Sequence, residues 1–152
     1  MTQFVEAPSC TCDTCRDMCK RPCWGTPAEI RKIIDAGHAK KLMLDYWEVF
    51  EKSDEGYILD VSYVYLLCGA NRGHERKIAP YWKGDSLCVF QNQLGLCTLH
   101  EDGLKPIEGR CAWHEPIKEN RDLREWLVFS QWRTDEGRQL INEWKQLVGF
   151  ND

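Results

Sequence analysis

The chain has 152 residues and a mass of 17.8 kDa, with 43% hydrophobic and 29% charged residues. These proportions predict a single domain over 1–152 with its own core. The formal net charge of −4 argues against a nucleic-acid-binding protein, which usually carries a basic face. No run approaches the roughly 20 apolar residues of a membrane span, and the first residues do not read as a secretory signal. We therefore expect a cytoplasmic protein that does not enter a membrane.

The first half of the chain predicts an irregular segment, a helix and a strand. Residues 9–25 are Cys-rich, and Thr26-Pro27-Ala28-Glu29 then predicts a helix start with Thr as cap, Pro at the first position and Glu as third residue. We expect this helix to stop or kink near Gly37 and a second helical stretch to cover 38–50. Residues 57–67 are rich in β-branched and aromatic types, which predicts a strand.

The second half predicts short strands followed by helices. Pro80 and Gly84-Asp85 are expected to break the chain before strands at 87–90 and 96–99. Helices are expected over about 120–148. Asn120 is predicted to cap a helix that carries Leu123, Trp126, Leu127 and Ser130. Thr134 is predicted to cap another, whose apolar stripe is Leu140, Ile141, Trp144, Leu147 and Val148. The pattern predicts an α+β fold with helices around short strands, organised by a Cys-rich metal site.

Nine cysteines in a chain without a recognisable secretory signal favour metal binding over a disulfide framework, because thiols stay reduced in the cytosol. Cys68 is the expected exception. It ends an apolar run and is predicted to be a small residue of the core.

The candidate ligands lie in two Cys-rich segments, 10–23 and 88–114. The first contains a C-x2-C knuckle, whose short spacing lets both sulfurs face one ion. The second adds three thiols and a histidine three residues after the last of them. Four ligands fill a tetrahedral site, so eight candidates fill two sites, or one cluster with spare thiols. The predicted metal ligands are Cys10, Cys12, Cys15, Cys19, Cys88, Cys97, Cys111 and His114.

Two further residues are left open by the sequence. Cys23 lies in a Pro-Cys-Trp-Gly turn, where it is either a ligand or a small turn residue. His100 follows Cys97 by three residues, and a surface position is as compatible with this spacing as ligation.

Several of these elements together resemble a known family. They are the N-terminal cysteine group, Cys-Val-Phe at 88–90, Gly-Leu-Cys-Thr-Leu-His-Glu at 95–101, Lys105-Pro106 and Arg110-Cys111. The pattern resembles the YkgJ-type family of zinc- or iron-chelating cysteine-cluster domains, which is related to a domain of flagellin lysine N-methylases. The resemblance covers roughly residues 10–30 and 86–115. It implies a metal-chelating fold.

Three functions are compatible with these patterns. The first is a structural zinc site in a binding or accessory module. The second is an iron protein or a 4Fe–4S protein with a redox role, or with a methyl-transfer role by family analogy. The third is a thiol redox enzyme using Cys12 and Cys15, but the thioredoxin-like βαβ context is missing from the sequence. We place zinc first because ferredoxin-type clusters favour C-x2-C-x2-C-x3-C before a proline, whereas this chain has C-x-C-x2-C-x3-C. No feature of the sequence identifies a partner, a substrate or a catalytic residue.

Overall fold

The computed structural model describes residues 4–79 and 87–150. In this part of the chain six α-helices accompany one two-stranded antiparallel sheet, so the predicted α+β class is confirmed. The predicted breaks at Pro80 and Gly84-Asp85 lie outside the described residues. The elements are α1 (Asp13–Met18), α2 (Pro27–Ile33), β1 (Leu42–Lys52), β2 (Ile58–Gly69), α3 (Thr98–Glu101), α4 (Ile107–Cys111), α5 (Leu123–Trp126) and α6 (Asp135–Val148).

Helix α2 begins as its sequence predicts. The Thr26 hydroxyl accepts a hydrogen bond from the Glu29 N–H at 3.1 Å, and the Glu29 carboxylate accepts one from the Thr26 N–H at 3.0 Å. This reciprocal capping box satisfies two N–H groups that the first helical turn leaves free. A π-helical turn (Ile34–His38) follows, and Gly37 inside it has φ of 94°. The predicted kink at this glycine is confirmed, since only glycine adopts such a φ without strain.

The helix predicted for 38–50 is wrong. After a single 3-10 turn at Ala39–Lys41, residues Leu42–Lys52 form β1 instead. Every residue of β1 pairs with β2, from Leu42 opposite Gly69 to Lys52 opposite Ile58. The apolar residues of β1 match a helical stripe as well as a strand, and the tertiary pairing with β2 decides between them.

The β1–β2 hairpin is buried at its base and exposed at its tip. Leu42, Leu44, Leu66 and Leu67 lie in the core, whereas Tyr57 at the far end is 72% exposed. Strand β2 confirms the strand predicted for 57–67 and extends it to 69. The base of the hairpin therefore belongs to the core of the fold, and the tip projects beyond it.

The two short strands predicted at 87–90 and 96–99 are wrong. Cys88 and Cys97 each form only an isolated bridge, to Asn71 and Gln91. The chain between them reverses tightly, because the Asn92 side chain accepts hydrogen bonds from the N–H groups of residues 94 and 96. The backbone polar groups are thus satisfied inside a turn, and the chain enters α3 directly afterwards.

The predicted C-terminal helices are present, with two corrections. Thr134 caps α6 by accepting the Gly137 N–H at 3.0 Å, as predicted. The predicted Asn120 cap is wrong: its amide instead pairs with both backbone groups of Val5 at 2.7 Å, and α5 begins after Asp122. Leu147 was predicted on the buried stripe of α6 but is 61% exposed.

Three buried tryptophans form hydrogen bonds between separate segments of the core. Their indole N–H groups donate to acceptors in other segments: Trp24 to the Asp45 carboxylate at 3.2 Å, Trp132 to the Gly25 carbonyl at 2.7 Å, and Trp144 to the Ala39 carbonyl at 2.8 Å. Each ring therefore buries its large apolar surface without leaving its one donor unpaired. Cys68 is fully buried in the same core, which confirms its predicted place.

None of the helices within the described residues combines the length and the apolar character that crossing a lipid bilayer requires.

Candidate metal centre

The N-terminal cysteines converge because a short helix starts among them. Cys12 is the N-terminal cap of α1, and its sulfur accepts the N–H of Cys15 at 3.5 Å. This contact places the two sulfurs on the same side of the first turn. Cys10 precedes the cap by two residues, and its sulfur lies in the same group. Three thiols from six consecutive residues therefore face one position.

The fourth group comes from the far end of the other Cys-rich segment. The Nδ1 atom of His114 lies 3.5 Å from the sulfur of Cys10, 3.5 Å from that of Cys12 and 3.5 Å from that of Cys15. The chain leaves α4 in extended conformation at Ala112, and the Trp113 ring packs on the imidazole at 4.5 Å between centroids. These four residues are called the Cys3His site below.

Contacts between the two segments hold the halves of the Cys3His site together. The Ala7 N–H donates to the Arg110 carbonyl at 2.8 Å. The Asn120 side-chain amide forms hydrogen bonds with the N–H and the carbonyl of Val5. Arg110 forms ion pairs with Glu6 and, at 2.6 Å, with Glu29. Residues that are not ligands therefore fix the approach of the N-terminal segment to residue 114.

The geometry of the Cys3His site fits a zinc ion. Its four ligand atoms all lie within 4.8 Å of one another. With bonds of about 2.3 Å to sulfur and about 2.0 Å to nitrogen, a tetrahedral zinc ion places sulfur and nitrogen about 3.5 Å apart. The three observed distances of 3.5 Å match this value. The group can therefore hold one tetrahedrally coordinated metal ion.

The pKa values of Cys12 and Cys15, two thiols of the Cys3His site, are shifted in opposite directions. The pKa of Cys12 is lowered to about 7, first by the Cys15 N–H and then by hydrogen bonding to the Cys10 side chain. The pKa of Cys15 is raised to about 11, by burial and by the side chains of Cys12 and Cys10. One thiolate therefore forms near neutral pH, and further proton loss needs a cation to offset the accumulating negative charge.

The other four predicted ligands lie outside the Cys3His site. Cys19 ends α1 as its C-terminal cap. Cys88 and Cys97 lie on the loops before α3, and Cys111 is buried at the end of α4. After burial, the largest influences on the pKa of the Cys111 thiol are charged side chains, with Arg110 first. The structure thus brings four of the eight predicted ligands together in one tight group.

The two residues that the sequence left open now have positions. His100 is exposed on α3, outside the Cys3His site. Cys23 is partly buried, and the pKa of its thiol is raised well above the ordinary value, by burial first and next by the charge of Cys88. Its position beside Cys88 was missed by sequence reasoning, although the four-residue spacing from Cys19 was an available signal.

Comparison of the chain with protein-family models, with curated proteins and with solved structures found no match. Membership of the YkgJ-type family stays a prediction from its motifs.

Proposed function

We propose that the chain is a zinc protein in which Cys10, Cys12, Cys15 and His114 hold one ion. The observation that carries the proposal is the set of three equal distances of 3.5 Å from one imidazole nitrogen to three sulfurs. Three thiolates and one imidazole are a common ligand set of structural zinc.

The role we assign to this zinc is structural. Four protein ligands complete a tetrahedral shell, whereas a catalytic zinc site keeps one position for water or substrate. The ion would join an N-terminal segment to a histidine 99 residues beyond Cys15. Binding would therefore stabilise the fold that brings these segments together. A cytoplasmic location forms part of the same proposal, because all nine cysteines are free thiols in the structure and a reducing compartment keeps thiols free.

Membership of the YkgJ-type family forms part of the same proposal. It is supported by the motifs in the sequence and by the contact between the N-terminal cysteine group and the segment that carries the remaining motifs. It would extend the metal-binding role to related chains without assigning a reaction to this one.

The proposal is tested by the metal content of the Cys3His site. Protein purified with reductant is expected to contain zinc, and the Cys12→Ser and His114→Ala variants are expected to lose it. His100→Ala is the matched control, since this exposed imidazole lies outside the site. Elemental analysis of the four proteins gives the answer. Unchanged zinc in both Cys12→Ser and His114→Ala would remove the Cys3His site as the place of binding.

A further inference from the structure

Five of the remaining cysteines line one cavity. Cys19, Cys23, Cys88, Cys97 and Cys111 all border a cavity of about 980 Å³ that runs between the N-terminal segment and α3 and α4. Cys111 lies at the end of α4, and the other four come from the end of α1, the following turn and the loops before α3. Cys68 does not border the cavity and faces the core.

The four thiols lie close enough for their charges to act on one another. Burial raises the pKa of Cys88 to about 12, and the charges of Cys97 and Cys19 raise it as well. Cys19 also raises the pKa of Cys97, and Cys88 and Cys97 both raise that of Cys23. These mutual effects mean that the four thiols are neighbours within the cavity.

Backbone N–H groups offset part of the rise in pKa at two of these thiols. Those of His100 and Leu99 act on Cys97, and that of Phe90 acts on Cys88. Such N–H groups stabilise thiolate rather than thiol, and they are the usual donors around metal-bound sulfur. Lys105 acts electrostatically on Cys23 and Cys97, and Arg72 on Cys88. These cations would offset the negative charge of a four-thiolate centre.

Glycines leave room beside the same sulfurs. A Cβ atom on Gly109 would lie 3.0 Å from the Cys23 sulfur, and one on Gly69 would lie 3.4 Å from the Cys88 sulfur. A side chain at Gly109 would crowd the Cys23 sulfur, and one at Gly69 would fill the space beside Cys88. The cavity wall is therefore shaped around the thiols.

The spacing of this set differs from that of the Cys3His site. Among the described residues, only the Cys3His site forms a group whose ligand atoms all lie within 4.8 Å of one another. No three of the sulfurs of Cys19, Cys23, Cys88 and Cys97 therefore lie mutually as close as the ligands of one zinc ion. An iron–sulfur cluster contains several metal ions, so its four thiolates bind at separate corners and stand further apart.

We infer that Cys19, Cys23, Cys88 and Cys97 form a second, all-thiolate site that holds an iron–sulfur cluster. This site shares no ligand with the Cys3His site, and its ligand set excludes Cys111. It includes Cys23, which lines the same cavity as Cys88 and Cys97. The two sites would take different metals because one offers a compact set with nitrogen and the other an open set of sulfur alone.

The test is anaerobic purification of the full chain, followed by reconstitution with ferrous iron and sulfide. Iron, acid-labile sulfide, zinc and the visible absorption spectrum are then measured. Wild-type protein is expected to contain iron and sulfide in equal amounts and to be brown. Cys23→Ser is expected to lose the colour and most of the iron while keeping its zinc, which also reports that the variant is folded. Cys111→Ser is the control, because this thiol borders the cavity outside the proposed set, and it should keep both metals.

A second measurement does not depend on variants. X-ray absorption of the wild-type protein at the iron edge is expected to show a sulfur-only first shell and a neighbouring iron atom, while the zinc edge shows sulfur and nitrogen. The inference is overturned by wild-type protein that takes up no iron and sulfide, by a second equivalent of zinc at these cysteines, or by nitrogen bound to iron. Loss of colour in Cys111→Ser with retention in Cys23→Ser would also overturn it. Wild-type protein that contains iron and sulfide but no zinc would refute the proposed function without overturning this inference.

Discussion

The substitution His114→Ala tests the structural role of zinc most directly, because it removes the one ligand that comes from a distant part of the sequence. Cys10, Cys12 and Cys15 are close neighbours in sequence and can bind zinc in the unfolded chain as well as in the folded protein. His114 is 99 residues from Cys15. It therefore reaches the ion easily only after folding has brought the two segments together.

The expected magnitude follows from the length of this loop. In the chain-entropy model, closing a loop of about 100 residues in the unfolded chain costs about 4.7 kcal/mol at 25 °C. The folded protein has already brought the segments together through contacts such as those of Asn120 with Val5. Zinc stabilises the fold only by the difference in its affinity for the folded and unfolded states. Zinc should therefore raise the free energy of unfolding by up to about 5 kcal/mol in the wild type. In His114→Ala the gain should be less than about 1 kcal/mol, because both states then offer the same three thiolates.

The assay is urea unfolding under reducing conditions, with and without equimolar zinc. His100→Ala serves as the matched control, since its imidazole is exposed and outside the Cys3His site, and it should gain as much from zinc as the wild type does. The reasoning is refuted if His114→Ala gains the wild-type amount, because the loop closed by residue 114 would then contribute nothing.

Four further substitutions test the fold. Leu140→Ala should destabilise the protein by about 2–5 kcal/mol and Leu147→Ala by less than about 0.5 kcal/mol, because the first side chain is 1% exposed and the second 61%. Gly137→Ala should cost about 1–3 kcal/mol, since a Cβ there would lie 2.5 Å from the Trp132 carbonyl oxygen. Asp45→Asn should change the pH dependence of stability, because burial raises the pKa of Asp45 from 3.8 to about 6. The folded state therefore binds this proton more tightly, and wild-type stability should fall by roughly 3 kcal/mol relative to the variant as pH rises from about 4 to 7.

Urea unfolding midpoints measure the effects of Leu140→Ala, Leu147→Ala and Gly137→Ala. For Asp45→Asn, unfolding of the variant and the wild type is measured in parallel at several pH values. Equal losses at residues 140 and 147 would contradict the burial assigned to α6. A Gly137→Ala variant with wild-type stability would show that the helix has space at this residue. Parallel pH profiles of the wild type and Asp45→Asn would mean that the carboxyl is not desolvated in the fold.

Local signals in the sequence predicted the elements whose ends are set by their own residues. The capping box at Thr26, the kink at Gly37 and the cap at Thr134 depend on contacts within four residues. The same kind of signal failed where the deciding partner is distant. Strand β1 is held by pairing with β2, and the amide of Asn120 is used by Val5, 115 residues earlier.

The candidate site was predicted to a similar extent. Residue types and short spacings placed the four members of the Cys3His site among eight candidate ligands. They did not show which candidates lie together, because that depends on the path of the backbone. Cys111 illustrates the limit. It lies three residues before His114 in sequence, yet the chain turns to extended conformation at Ala112, which directs the histidine toward the N-terminal thiols and leaves Cys111 buried at the end of α4.

The helical conformation of α1 explains why Cys19 lies outside the Cys3His site. Cys12 caps the start of this helix and Cys19 caps its end. At a rise of about 1.5 Å per residue, the seven residues from Cys12 to Cys19 separate them by about 10 Å along the axis. One tetrahedral ion spans only about 4 Å between its sulfurs. Cys19 therefore cannot join an ion bound by Cys12 and Cys15 while α1 is intact. It borders the cavity that Cys88 and Cys97 also line. The same spacing in an irregular loop could have folded around a single centre.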